Sequence, residues 1–255
     1  MDPNGPPEVE ETLAYAVSAR GLLVSETFVS IQGEGASLGA PAAFLRLGRC
    51  NLKCSFCDTP YSWDESRFDL SEELTERSLE SLVDWVLEAS PGRLIVTGGE
   101  PLIQHRPLAL FLSALDERRA ERGEAREIVE VETNGTIEPS AELEARIDQF
   151  NVSPKLANSG EPRARALRAR ALQSFARLSQ SFFKFVIASA EDAEEAMELV
   201  QRLGVPLGRV LFMPLAGSVI ELRERQALVS EMALSKRVRY SSRLHLELYG
   251  GGRGV

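Results

Sequence analysis

Cysteine and histidine are scarce in this chain, with three cysteines and two histidines in 255 residues. Three thiols cannot form a closed disulfide framework, and a tetrahedral zinc site would need a fourth ligand where the only histidines are His105 and His245. No run of about 18 apolar residues occurs, so no membrane span is expected. Basic residues are not in excess either. A formal net charge of −9 argues against a protein whose main task is to grip a nucleic-acid backbone, and a small-molecule substrate is the better expectation. The start, Met1-Asp2-Pro3-Asn4-Gly5-Pro6-Pro7-Glu8, lacks the basic residues and apolar stretch of a secretory signal. The expectation is therefore a cytoplasmic protein, in a compartment that keeps thiols reduced.

What is present is concentrated. Gly48-Arg49-Cys50-Asn51-Leu52-Lys53-Cys54-Ser55-Phe56-Cys57-Asp58-Thr59 holds every cysteine, spaced C-x3-C-x2-C. A cubic 4Fe–4S cluster is usually held by four cysteine thiolates. Three would leave one iron open to a substrate or cofactor. The alternative for these thiols is a non-catalytic zinc-thiolate module.

Residues 1–20 read as a poorly ordered extension and 21–255 as a single domain. Leu22 to Val29 and Pro41 to Leu47 read as strands, joined by the polar glycine-rich turn Ser30-Ile31-Gln32-Gly33-Glu34-Gly35. Leu79, Leu82, Val83, Val86 and Leu87 recur at helical spacing, and Pro91-Gly92 stops that helix. The apolar strand Leu94-Ile95-Val96-Thr97 runs into Gly98-Gly99-Glu100-Pro101. A helix from about Pro107 to Ala120 buries Leu108, Phe111, Leu112 and Leu115, and the strand Ile128 to Glu132 ends in Thr133-Asn134-Gly135. Phe150 to Ser153, Phe182 to Ala188 and Val210 to Met213 continue as strands, with a helix capped at Ser189 and another carrying Leu222, Leu228, Val229 and Met232. Val238 to Ser241 and Leu244 to Leu248 read as terminal strands. The arginines between 163 and 177 read as the solvated face of a helix.

Alternating strands and helices imply an α/β fold, a mostly parallel sheet with right-handed crossovers. About six core strands suit a partial, open β/α barrel better than a closed eight-stranded one. The candidate functional segments fall at strand ends, on one rim, where ligands of parallel sheets gather.

The cysteine spacing, with Phe56 before the last thiol, resembles the cluster loop of the radical S-adenosylmethionine superfamily, and Gly98-Gly99-Glu100-Pro101 resembles that superfamily's GGEP motif. There the open iron chelates the methionine moiety of adenosylmethionine, and reductive cleavage yields a 5′-deoxyadenosyl radical that takes hydrogen from the substrate. Ile31-Gln32-Gly33-Glu34-Gly35, Cys57-Asp58-Thr59, Val131-Glu132-Thr133-Asn134-Gly135 and Ser153-Pro154-Lys155 further resemble the 7-carboxy-7-deazaguanine synthases of deazapurine and queuosine biosynthesis. Arg253-Gly254-Val255 matches one branch of them.

The resemblance implies conversion of 6-carboxy-5,6,7,8-tetrahydropterin to 7-carboxy-7-deazaguanine by hydrogen abstraction at C6, ring contraction and loss of ammonia. By the same resemblance Cys50, Cys54 and Cys57 hold a 4Fe–4S cluster. Phe56, Cys57, Asp58, Gly98, Gly99, Glu100, Ser153, Pro154, Lys155, Met213 and Pro214 lie at S-adenosyl-L-methionine. Ile31, Gln32, Gly33, Glu34, Arg46 and Thr97 face the pterin, with His245 and Val255 in reach of it, and Thr59 binds Mg²⁺. Arg46 suits a two-point clamp on the substrate carboxylate, and a threonine oxygen suits a hard cation. A flavodoxin or ferredoxin as reductant and a homodimer are further implications. A rival is another small radical enzyme of the superfamily, such as a glycyl-radical activating enzyme, which acts on a protein partner.

Overall fold

The computed structural model describes residues 21–89 and 91–255; the expected extension over 1–20 lies outside them. Nine strands form one sheet: β1 (Gly21–Ile31), β2 (Pro41–Leu47), β3 (Thr75–Ser78), β4 (Arg93–Gly98), β5 (Ile128–Thr133), β6 (Gln149–Val152), β7 (Ser181–Ile187), β8 (Val210–Pro214) and β9 (Arg239–Tyr240). Their order is β3-β1-β2-β4-β5-β6-β7-β8-β9. From β2 to β9 every neighbouring pair is parallel, while β1 pairs antiparallel with both β2 and β3. β3 and β9 stand at the two edges, so the sheet is open. The antiparallel hairpin was not expected from the sequence, although both its strands were. Its nine-residue connection is too short for the helical crossover that a parallel pair needs.

Helices are α1 (Leu70–Glu73), α2 (Leu79–Ala89), α3 (His105–Glu121), α4 (Ala141–Glu144), α5 (Arg163–Ala166), α6 (Ala169–Arg177), α7 (Ala190–Leu203), α8 (Val219–Lys236) and α9 (Leu244–Tyr249). α3 buries Leu108, Phe111, Leu112 and Leu115, as its spacing predicts. α7 opens on a reciprocal capping box between Ser189 and Asp192. No helix among the described residues is long and apolar enough to cross a membrane.

Three expectations need correction. Leu244 to Leu248 is a helix, not a strand. Its leucines alternate with period two, but only Leu246 is buried, against Ala216 and Leu222, while Leu248 faces out; a five-residue apolar alternation cannot distinguish the two structures. On α8, Leu222 and Val229 are buried and Leu228 is exposed. The arginine-rich stretch is two helices broken at Leu167 and Arg168.

The two faces of the sheet differ in chemistry. One set of alternating residues, including Leu45, Val96, Val131, Val152, Phe185 and Phe212, is fully buried in the main core that the helices cover. Burying such side chains supplies roughly 1.5–3 kcal/mol each. The other set includes Arg46, Thr97, Glu132, Asn151, Lys184 and Met213, which stand on the opposite face by the period of two. That inner face is polar, and it carries the cleft.

Candidate active site

The cluster loop follows β2 and is fixed to the end of β4 by backbone alone: Gly99 N–H donates to the Leu47 carbonyl at 3.1 Å and Glu100 N–H to the Arg49 carbonyl at 2.8 Å. This closeness explains the two glycines. Gly98 has φ +137°, and a Cβ there would strike the Leu47 backbone; a Cβ on Gly99 would strike the Arg49 carbonyl oxygen. The Asn51 amide donates to Thr136 Oγ1 at 2.8 Å, and Asn51 Oδ1 accepts from Asn134 Nδ2 at 2.9 Å, which joins the loop to the turn after β5. Arg165 donates to the Asn51 carbonyl from Nε (3.0 Å) and Nη2 (2.6 Å). The arginine-rich stretch is thus more than a solvated face, because one of its members ties down the loop.

Cys50, Cys54 and Cys57 are free thiols, half-buried, and all three line one cleft. Burial pushes the Cys50 thiol up to about 12 and also raises Cys54. Without a metal these two thiols are protonated at neutral pH, so binding one must release protons. N–H groups point at two of the sulfurs, Leu52 N–H to Cys50 Sγ at 3.5 Å and Trp63 Nε1–H to Cys57 Sγ at 3.2 Å. Three soft donors with no fourth thiol fit an iron–sulfur cluster with one open iron.

Phe56, Asp58, Gly98, Gly99, Ser153, Lys155 and Met213 line the same cleft. Glu100, Pro154 and Pro214 do not. The Glu100 carboxylate is fully buried and accepts from Leu102 N–H, Thr133 Oγ1 and Asn134 N–H at 3.0, 2.8 and 2.7 Å. Burial raises its pKa, against the effect of those donors. Its place is beneath the loop rather than at the cleft wall.

A second compartment continues the first through shared walls at Glu34, Asp58, Thr59, Thr97 and Arg243. Ile31, Gln32, Gly33, Arg46, His245 and Val255 line it, so the remaining expected substrate residues are brought together here. Phe28 and Phe44 form one wall, with rings stacked at 4.9 Å and 1° between planes. Arg46 is the cross-strand neighbour of Glu26 and pairs with it at 2.5 Å, while Tyr61 donates to the same Glu26 oxygen at 2.8 Å. Gly33 is pressed against the His245 imidazole, and its carbonyl accepts from Leu244 N–H at 2.8 Å. Thr59 stands before a short 3₁₀ turn but its hydroxyl makes no capping bond; Oγ1 faces Cys57 Sγ at 3.9 Å.

The centre of the site is a charge network that sequence reading missed. Lys184, a buried residue, donates from Nζ to Glu34 at 2.7 Å and Glu132 at 2.9 Å. Arg243 donates to Glu34 at 2.9 Å and also bonds Asp58 and the Ala216 carbonyl. Burial alone would raise the Glu34 pKa, but Lys184, Arg243 and His245 outweigh it and hold the carboxyl far below its usual range. Burial likewise opposes the charge of Lys184, yet Glu132 and Glu34 raise its pKa above the lysine range. Glu132, with one cation beside it and Glu34 nearby, stays raised by burial. Burial lowers His245, which is therefore neutral at pH 7. The signal available in the sequence was charged residues among apolar neighbours inside two strands, Glu130 and Glu132 in β5 and Lys184 in β7. Glu34, Asp58 and His245 place ligand atoms within 4.8 Å of one another, but the Arg243 guanidinium already bridges the two carboxylates.

A cleft at the carboxyl ends of parallel strands, edged by three thiols and the GGEP turn, defines the class. Residues 45–221 match the Radical SAM superfamily. The crystal structure of QueE from Escherichia coli shares the fold, with a TM-score of 0.64 and 24% identity over 88% of this chain and 95% of that one. Within the superfamily, the chain is 40% identical to a 7-carboxy-7-deazaguanine synthase of Pyrobaculum aerophilum, covering 91% of this chain and 96% of the relative. It is 35% identical to one of Rhodopirellula baltica, over 93% and 90%. The chain belongs to the 7-carboxy-7-deazaguanine synthase family.

Proposed function

We propose that the protein converts 6-carboxy-5,6,7,8-tetrahydropterin to 7-carboxy-7-deazaguanine by hydrogen abstraction at C6, ring contraction and loss of ammonia, in queuosine or related deazapurine biosynthesis. The observation that carries this reading is the continuity of the two compartments, which sets a polar, flat-walled pocket directly beside the three thiols. Cys50, Cys54 and Cys57 would hold a 4Fe–4S cluster, which together with S-adenosyl-L-methionine would supply the radical chemistry for hydrogen abstraction.

The chain supplies recognition and charge. Glu34 is held anionic by Lys184 and Arg243, so it accepts from the N–H groups of a pterin edge. Gln32, whose amide donates to Glu132 at 3.3 Å, completes that edge. The stacked Phe28 and Phe44 offer an apolar wall beside the flat ring. Arg46 remains cationic beside Glu26 and offers its other N–H groups to the substrate carboxylate. Neutral His245 can take a proton at its unprotonated ring nitrogen. Ile31, Gly33, Thr97 and Val255 shape the pocket. Phe56, Asp58, Gly98, Gly99, Ser153, Lys155 and Met213 face the adenosylmethionine, with Glu100, Pro154 and Pro214 in support. The Thr59 hydroxyl suits Mg²⁺ completed by water and substrate oxygens. A cytoplasmic homodimer reduced by a flavodoxin or ferredoxin completes the proposal.

The test is anaerobic reconstitution followed by reaction with the pterin, adenosylmethionine, Mg²⁺ and a reductant, with products read by mass spectrometry. Deazaguanine product without stoichiometric loss of adenosylmethionine is expected. Reductive cleavage of adenosylmethionine with the pterin untouched would overturn the substrate assignment.

A further inference from the structure

Of the groups that approach the three thiols, the Trp63 indole comes nearest among the polar contacts of the described residues. Nε1 lies 3.2 Å from Cys57 Sγ, against 3.5 Å for Leu52 N on Cys50 and 3.9 Å for the Thr59 hydroxyl on Cys57. An indole nitrogen can only donate, so the polarity of this bond is fixed. Its position is set by the local fold. Trp63 follows the 3₁₀ turn Pro60–Ser62, its own N–H donates to the Pro60 carbonyl at 3.1 Å, and Asp64 N–H donates to the same carbonyl at 2.7 Å. The ring is half-buried and lines the cleft beside the thiols.

We infer that Trp63 is a positioning residue that acts through the Cys57 sulfur to raise the reduction potential of the cluster held by this loop, an inference that rests on the cluster assignment above. Reduction by one electron adds negative charge to the iron–sulfur unit and its thiolates. A donor aimed at one sulfur stabilises that more negative state, and hydrogen bonds to the sulfurs are among the levers that set cluster potentials. The N–H of Trp63 therefore favours uptake of the electron. A phenylalanine at this position keeps the ring and removes the donor.

The experiment is a redox titration of reconstituted full-length protein followed by electron paramagnetic resonance, for wild type, Trp63→Phe and Trp85→Phe. Trp85 packs on α2 against the main core and serves as control. Loss of the donor is expected to shift the reduction equilibrium roughly tenfold toward the oxidised state, a midpoint about 59 mV more negative for one electron. Iron content should match wild type, and Trp85→Phe should keep the wild-type midpoint. Equal midpoints in Trp63→Phe and wild type, at equal iron content, overturn the inference. Should Trp63→Phe assemble poorly, wild type carrying indole-¹⁵N tryptophan decides: a hyperfine coupling from the reduced cluster, kept in Trp85→Phe, supports the bond, and its absence refutes it. A wild-type chain that assembles no cluster under these conditions would overturn the cluster assignment and the inference together.

Discussion

Lys184→Met removes the cation that separates Glu34 from Glu132 and leaves two carboxylates facing one another in a largely buried site. Lys184 Nζ is 2.7 Å from Glu34 and 2.9 Å from Glu132, and the side chains are 6%, 17% and 17% exposed. Removing one partner of a buried ion pair costs about 3–5 kcal/mol. Arg243 stays on Glu34 and compensates part of this, so about 3 kcal/mol is expected at neutral pH. For a chain of this size that corresponds to a fall in Tm of roughly 10 °C.

The pH dependence has a definite sign. Glu34 in wild type is depressed below its ordinary 4.5, so its stabilisation is present above that pH and lost as pH falls through the folded value. Without Lys184, Glu132 rises further, because burial already raises it and Lys184 is the first group opposing that rise. A carboxyl raised in the folded state destabilises the fold above its unfolded pKa, and the penalty vanishes below it. The gap between variant and wild type should therefore be widest at pH 7 and narrow toward pH 4. Denaturant titration of anaerobic protein across that range measures it. Lys184→Met/Glu132→Leu, which removes charge on both sides, should recover more than half of the loss. A single variant within about 1 kcal/mol of wild type at pH 7, or a double variant no better than the single, would refute the network as the element that balances charge in the cleft.

Gly99→Ala places a methyl group against the Arg49 carbonyl and must displace the cluster loop; iron bound per chain after reconstitution should drop well below wild type while the secondary structure stays unchanged by circular dichroism. Arg165→Ala removes both bonds to the Asn51 carbonyl at an exposed position, with an expected cost of about 1 kcal/mol in denaturant titration and faster loss of iron to a chelator.

The sequence by itself determined the order of the core strands and long helices, though not β3, the short helices α1 and α4, or the closing helix α9, because the hydrophobic period of the main core is written into strands such as Leu94-Ile95-Val96 and helices such as α3 and α7. It also determined which segments carry chemistry. The three thiols, Gly98, Gly99, Ser153 and Lys155 reach one cleft because loops after parallel strands share a rim, whereas the Gln32-Gly33-Glu34 turn follows the antiparallel β1 and joins the cleft from the opposite end of β2. Short local signals were weaker: the alternation of Leu244, Leu246 and Leu248 fitted a strand as well as the helix it forms.

Only the tertiary structure decided what each polar residue does. Arg46 meets Glu26 through the register of the antiparallel β1–β2 pair, which the short connection does not by itself fix. Glu100, expected at the cofactor, is drawn under the loop by three donors from two later segments. Glu34, Glu132, Lys184 and Arg243 come from positions spread over more than two hundred residues and become one network when the inner face of the sheet closes around them. Local propensity and hydrophobic period are short-range properties of the chain and can be read from it directly. The partner of a buried charge is fixed by strand register and by which face of the sheet the helices leave uncovered, and both are set only when the whole sheet assembles.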